Sequence, residues 1–204
     1  MDILMRWFRS SFFWFLLSLL TISGLVAIGP EEATLGSNVR VVYLHGAWVL
    51  TAEAFLALAA VAGFFALLMR REKSHTWSAA LGRTGIIFWI IYLPLSLWAM
   101  QANWNGLFLS EPRFRIAFIF AVTGTLLQMG LAFLSRPVIT SLANVLFFTC
   151  LWIILRQADY VLHPPPSPIF SSGSLALQLY FIGLIFLNMV AAYFLTRWWL
   201  QKTS

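Results

Sequence analysis

The chain has 204 residues, of which 61% are hydrophobic and 10% charged, with a formal net charge of +6. A mean hydropathy of +0.85 excludes an ordinary soluble domain and places the chain in a lipid bilayer. The Lys and Arg residues are scattered, with no basic run interleaved with aromatics, so the positive charge carries no signature of nucleic-acid binding.

Nearly charge-free runs occur in chain order at residues 11–29, 44–69 (interrupted by Glu53), 84–101, 114–134, 137–155 and 174–196. Each is close to the roughly 17–25 residues that a helix needs to cross hydrocarbon. A barrel would show segments of about ten residues alternating polar and apolar, and none is present. The expected fold is therefore an all-α membrane protein, a six-transmembrane-helix bundle forming one domain over residues 1–204. The first run follows Arg6 and Arg9 as a signal peptide's core would. Its length and the lack of a small-x-small site predict a retained helix instead.

Counting Lys and Arg in the short loops sets the orientation. With the N-terminus in the cytoplasm, Arg6, Arg9, Arg70, Arg71, Lys73, Arg83, Arg136, Arg197 and Lys202 lie inside. Arg40, Arg113, Arg115 and Arg156 lie outside. Nine against four predicts both termini cytoplasmic. The larger loops, 30–43, 102–113 and 157–173, then fall on the outer face, and function is expected there. Prolines in 164–168 force an extended segment just after His163. The single cysteine, Cys150, cannot form an internal disulfide, and no C-x-x-C-H attachment site is present. Trp198 and Trp199 beside Arg197 read as an interfacial belt.

Of the three histidines, His75 falls in the basic inner stretch SHTWSAALGR and receives no role. His45 and His163 both fall within a turn or two of the outer boundary. Two neutral imidazoles at one depth suit the two axial positions of an iron porphyrin. Each alone also reads as an ordinary interfacial residue. Zinc fits less well, because no Cys, Asp or Glu stands at short ligand spacing. The four outward arginines run against the orientation bias and ask for anionic partners. Arg113, Arg115, Arg40 and Arg156 are placed to meet haem propionates bidentately, Arg113 foremost. They are also placed to pair with Glu31, Glu32, Glu111, Asp159 or lipid headgroups. Trp98, Trp104, Phe108 and Phe114 around the stretch ANWNGLFLS offer a porphyrin platform or, alternatively, an aromatic belt. Glu53 lies about 12 Å deeper than His45 along the second helix. An acid there is expected to handle protons, or to stay neutral and bonded to Gln128 or Asn144.

These residues add up to a family resemblance. RVVYLHGAW resembles the first histidine motif, R-x-x-Y-x-H-x-P-x-A-W, of the haem-handling proteins of cytochrome c maturation, the CcmC and CcsA group. LHPPPSPI resembles that group's second motif, L-H-x-P. Between them the family carries a tryptophan-rich loop of the form W-G-x-W-W-x-W-D-x-R. Here Trp104, Phe108, Glu111 and Arg113 remain, while Leu107, Leu109 and Ser110 replace aromatic positions, and Gly46 stands where the first motif has proline. The resemblance implies a haem b at the periplasmic face of a bacterial plasma membrane, with His45 and His163 as axial ligands. Trp48, Trp104, Phe108, Arg40, Arg113 and Arg156 would surround it. A periplasmic haem chaperone or a c-type cytochrome is the implied partner. The degenerate loop equally suits a fixed haem b subunit carrying electrons within a larger membrane redox complex. No catalytic acid, base or nucleophile set appears, so the chain is not expected to be an enzyme.

Overall fold

The structure is a computed structural model that describes residues 10–158 and 169–203. Among these residues it has helices and no strand: α1 (Ser11–Ala27), α2 (Val39–Met69), α3 (Glu72–Trp104), α4 (Pro112–Leu134), α5 (Pro137–Arg156) and α6 (Leu175–Thr203). Five of them, α2 to α6, are long and apolar enough to cross a membrane. α1 is apolar but has 17 residues, at the lower limit for a span. The chain is thus an all-helical, multi-pass membrane protein in outline.

Local chemistry sets the helix ends. The Ser10 hydroxyl accepts from the Phe12 N–H at 3.3 Å and starts α1. Glu111 accepts from the Phe114 N–H at 2.6 Å, with Pro112 at the first helical position of α4. Arg70, Asn105 and Ser135 end α2, α3 and α4 in the left-handed conformation, with φ of 51°, 50° and 51°. Two expected boundaries move. The basic stretch read as an inner loop is helical from Glu72, leaving only Arg70 and Arg71 between α2 and α3. The outer loop before the second helix ends at Asn38 and not at Tyr43.

The core is a seam between antiparallel α2 and α3, closed by α5 and α6. Its register is fixed by side-chain donors reaching across to backbone carbonyls. Asn38 Nδ2 bonds the Ala102 carbonyl at 2.8 Å, Trp48 Nε1 the Phe88 carbonyl at 2.9 Å, and Ser78 Oγ the Ala59 carbonyl at 2.8 Å. Close approach needs small residues, as is usual where lipid supplies no hydrophobic drive. A Cβ on Gly63 would lie 2.8 Å from the Ser141 carbonyl oxygen, and one on Gly85 2.8 Å from the Leu56 side chain. α1 leans on α6 through Phe12 against Trp198, with ring centres 5.1 Å apart.

Candidate functional site

His45 stands two turns into α2, half-buried, with its imidazole against the Tyr92 ring of α3 (centroids 5.0 Å apart, 32° between planes). Tyr92 is itself buried against Trp89, at 5.5 Å. It lies next to Ser96 and within electrostatic reach of Glu111, Glu53 and Arg113. Arg113 in the first turn of α4 also acts on Glu53 of α2. Three helices therefore bring His45, Tyr92, Glu53 and Arg113 into one chain of neighbours. Sequence spacing missed Tyr92. It sits in an apolar run, and only the α2–α3 register set by Trp48 and Phe88 shows which ring meets the histidine.

The other expected residues divide. Trp48 is buried and committed to the seam: besides its bond to the Phe88 carbonyl it stacks on the Phe88 ring at 4.6 Å and 22°. Arg40 braces the preceding loop, donating from Nε to the Gly29 carbonyl at 2.9 Å and pairing with Glu31 at 3.2 Å. Arg156 lies over the Trp152 ring at 4.2 Å. Trp104, the last residue of α3, and Phe108 in the loop joining α3 to α4 are exposed, and Trp104, Leu107, Phe108 and Leu109 range from 38 to 55% exposed. Phe114, grouped with these aromatics on sequence grounds, is instead buried in the first turn of α4. His163 and Asp159 lie outside the described residues. The chain beyond them is described again from Ile169, and Phe170 packs on Phe181 at 5.4 Å. Phe181 in turn closes on Gly46, beside His45, where a Cβ would meet its ring at 3.0 Å.

A polar network in the other half of the bundle differs from what the sequence suggested. His75 is no loop residue: it is 3% exposed within α3, and its Nδ1 is 2.7 Å from the Ser141 hydroxyl of α5. Asn144 of α5 donates from Nδ2 to the Ser78 carbonyl and hydroxyl, at 2.9 and 3.1 Å. Its Oδ1 accepts from Gln128 Nε2 of α4 at 2.9 Å. The two amides offered to Glu53 are therefore spent on each other. Among the described residues no three His, Cys, Asp or Glu side chains gather into a metal-holding group. A further buried amide, Asn188 at the middle of α6, was missed because it is a lone polar residue in an apolar run.

Of the two expected axial ligands, His45 is the one the structure describes; it has an aromatic ring against it, and Arg113 lies within electrostatic reach of that ring. Comparison with family models, curated proteins and solved structures gives no match for this chain.

Proposed function

We propose that the chain is a haem-binding membrane protein resembling the CcmC and CcsA group, with His45 and His163 as the two axial ligands of a haem b. The observation that carries this reading is the placement of His45. Its imidazole lies half-buried on Tyr92, at the end of the bundle where Arg113 and the exposed aromatic loop also lie. The haem, when bound between two imidazoles, supplies one-electron exchange with no open position for oxygen. The chain's own residues do the rest. His45 donates Nε2 or Nδ1 as a neutral imidazole, Tyr92 fixes the plane of its ring, and Arg113 offers a planar pair of donors to carboxylate groups. Trp104 and Phe108 shield an edge from water.

In this reading six helices span a bacterial plasma membrane, both termini are cytoplasmic, and the His45 end faces the periplasm, where a haem chaperone or c-type cytochrome is the partner. The basic bias supports that orientation. Cysteines placed at Ser37, Asn105 or Ser171, in a background lacking Cys150, should react with an impermeant thiol reagent from the periplasmic side. Labelling only after membrane disruption overturns the orientation.

One observation favours a second reading, a fixed haem b subunit of a larger redox complex: Leu107, Leu109 and Ser110 stand where a haem-presenting loop carries aromatics. A deletion strain separates the two. Impaired maturation of c-type cytochromes, together with exchange of the bound haem to apomyoglobin, supports haem handling. Normal maturation with haem retained defeats it and promotes the electron carrier.

A further inference from the structure

From Val41 to Met69, α2 carries no Asp, Glu, Lys or Arg except Glu53. The Glu53 side chain is half-buried, and Thr51, Ala52, Phe55 and Leu56 around it are buried. Among the described residues its carboxyl makes no hydrogen bond and no ion pair; the pair present is Arg40 with Glu31. The amides that could have held it, Gln128 and Asn144, bond each other at 2.9 Å. An acid that only braced helices would be held by donors, as the Asn144 amide is held, and Glu53 is not.

Two side chains of neighbouring helices lie within its electrostatic reach: Arg113 of α4, a charge, and Tyr92 of α3. Among the described residues no charged group of α1, α5 or α6 acts on it. Burial opposes the charge of a carboxylate and a guanidinium supports it. With the two opposed, a further charge nearby decides whether the group holds its proton. His45 lies eight residues before Glu53, about 12 Å along the helix. The buried Tyr92 links them, its ring 5.0 Å from the imidazole and within reach of the carboxyl. A unit charge added about 12 Å away shifts a proton affinity about ten-fold at an effective dielectric constant of about 20.

We propose that Glu53 binds one proton when the His45 site gains an electron and releases it on oxidation, so that electron and proton are taken up together at this end of the bundle. The inference rests on the haem reading above. In the step, one electron from a soluble one-electron donor reduces ferric iron to ferrous, and the Glu53 carboxylate takes one proton from water to become the neutral acid. The added negative charge is thereby cancelled inside the protein, where screening is weak. Arg113 stays protonated throughout, so the carboxyl is the group that changes.

Spectroelectrochemical titration of the haem-loaded full chain in detergent, repeated across the neutral pH range, tests it. The midpoint potential should fall as pH rises, by ~59 mV in all, the one-electron equivalent of a ten-fold change in affinity. E53Q, which keeps the shape and cannot titrate, should lose the fall while retaining the bis-histidine spectrum and the helical content. E53D, which restores an acid, should recover part of it; E72Q, at the other end of the bundle, should keep all of it. Infrared difference spectra, reduced minus oxidised, should gain a protonated-carboxyl band that E53Q lacks. A potential independent of pH in the wild type overturns the inference. So does the same fall in E53Q, which would assign the proton to the haem's own propionates. Absence of a bis-histidine spectrum would instead sink the haem reading, and this inference with it.

Discussion

Two polar clusters of the bundle differ in how fully their buried groups are bonded, and the Asn188 Oδ1 in mid-bundle belongs to neither, buried with no hydrogen-bond partner among the described residues. Around His75, Ser78, Ser141, Asn144 and Gln128, each polar side chain is bonded to another member of the network or to a neighbouring helix's carbonyl. Towards the His45 end the bookkeeping does not close. Among the described residues the Tyr43 hydroxyl and the Asn103 Oδ1 are buried without a hydrogen-bond partner. Glu53 lies within electrostatic reach of Arg113. A closed network specifies how helices dock, because every alternative packing would strand a donor or acceptor. An open one is where a ligand has something to satisfy. On the reading proposed above, the first region holds the structure and the second binds, and each role can be broken separately.

The largest expected effect is at the ligands. His45→Ala and His163→Ala should each turn a low-spin b-type spectrum high-spin or release the haem altogether, while leaving the helical content unchanged. Oxidised and reduced spectra identical to wild type in both variants would sink the ligand assignment. His75→Ala is the internal control: its imidazole is bonded to Ser141, so the spectrum should persist even as stability falls.

Next in size is the cost of opening the closed network. Asn144→Ala removes three hydrogen bonds and leaves the half-buried Gln128 amide without its partner, while the Ser78 hydroxyl keeps its bond to the Ala59 carbonyl. Bonds between membrane helices average about 0.6 kcal/mol each, and a stranded buried group costs about 1–3 kcal/mol. A loss of about 2 kcal/mol is expected in a reversible unfolding assay in mixed micelles. Gly82→Ala should act on the same spot by crowding, since its Cβ would lie 2.8 Å from both terminal atoms of the Asn144 amide. A change below about 0.3 kcal/mol in both variants, well under one such bond, would show that the network does not hold the helices together.

What the sequence discloses follows the physics of each signal. Long apolar runs bounded by charge and proline located α4 and α5 to within a residue or two, because crossing hydrocarbon demands length and apolarity together. The same criterion misread residues 70–83. Glu72, Lys73 and Arg83 look like a polar loop, yet helix α3 continues through them, bonded to its neighbours through His75 and Ser78. His75 was lost with them. Its burial is created by Ser141, 66 residues away, a distance over which spacing carries no information. The seam glycines and the ring that meets His45 depend equally on the register between helices, whereas the histidine itself stood out as a polar residue at the end of an apolar run.

A smaller effect tests whether Glu53 and Arg113 form one electrostatic unit at the open end. An acid at this depth is expensive and marks function by default. The variants E53Q, R113Q and the double should yield a coupling energy of about 0.5–1 kcal/mol in stability, since interacting neighbours depart from additivity by that order. Strict additivity would separate the two residues and remove Glu53 from the site.

The smallest effect is a pH response confined to the loop before α2. The Glu32 carboxylate accepts from the backbone N–H groups of Leu35 and Thr34, at 3.0 and 2.9 Å. Those bonds, Leu35's first, hold its pKa below the usual glutamate range. A group whose folded pKa is depressed contributes its stabilisation above the unfolded value and loses it as pH falls through the folded one. The turn closed by Glu32 and Gly36, with Gly36 at φ 55°, should thus be fully ordered at neutral pH and loosen below the ordinary glutamate range. Hydrogen exchange at the Thr34 and Leu35 amides should quicken there relative to its intrinsic pH dependence. Glu32→Gln, which keeps a weaker acceptor and cannot titrate, should abolish the dependence while α3 and α5 amides stay unaffected in both proteins. The same acceleration in the Gln variant would mean that another group, and not this carboxylate, holds the turn before α2.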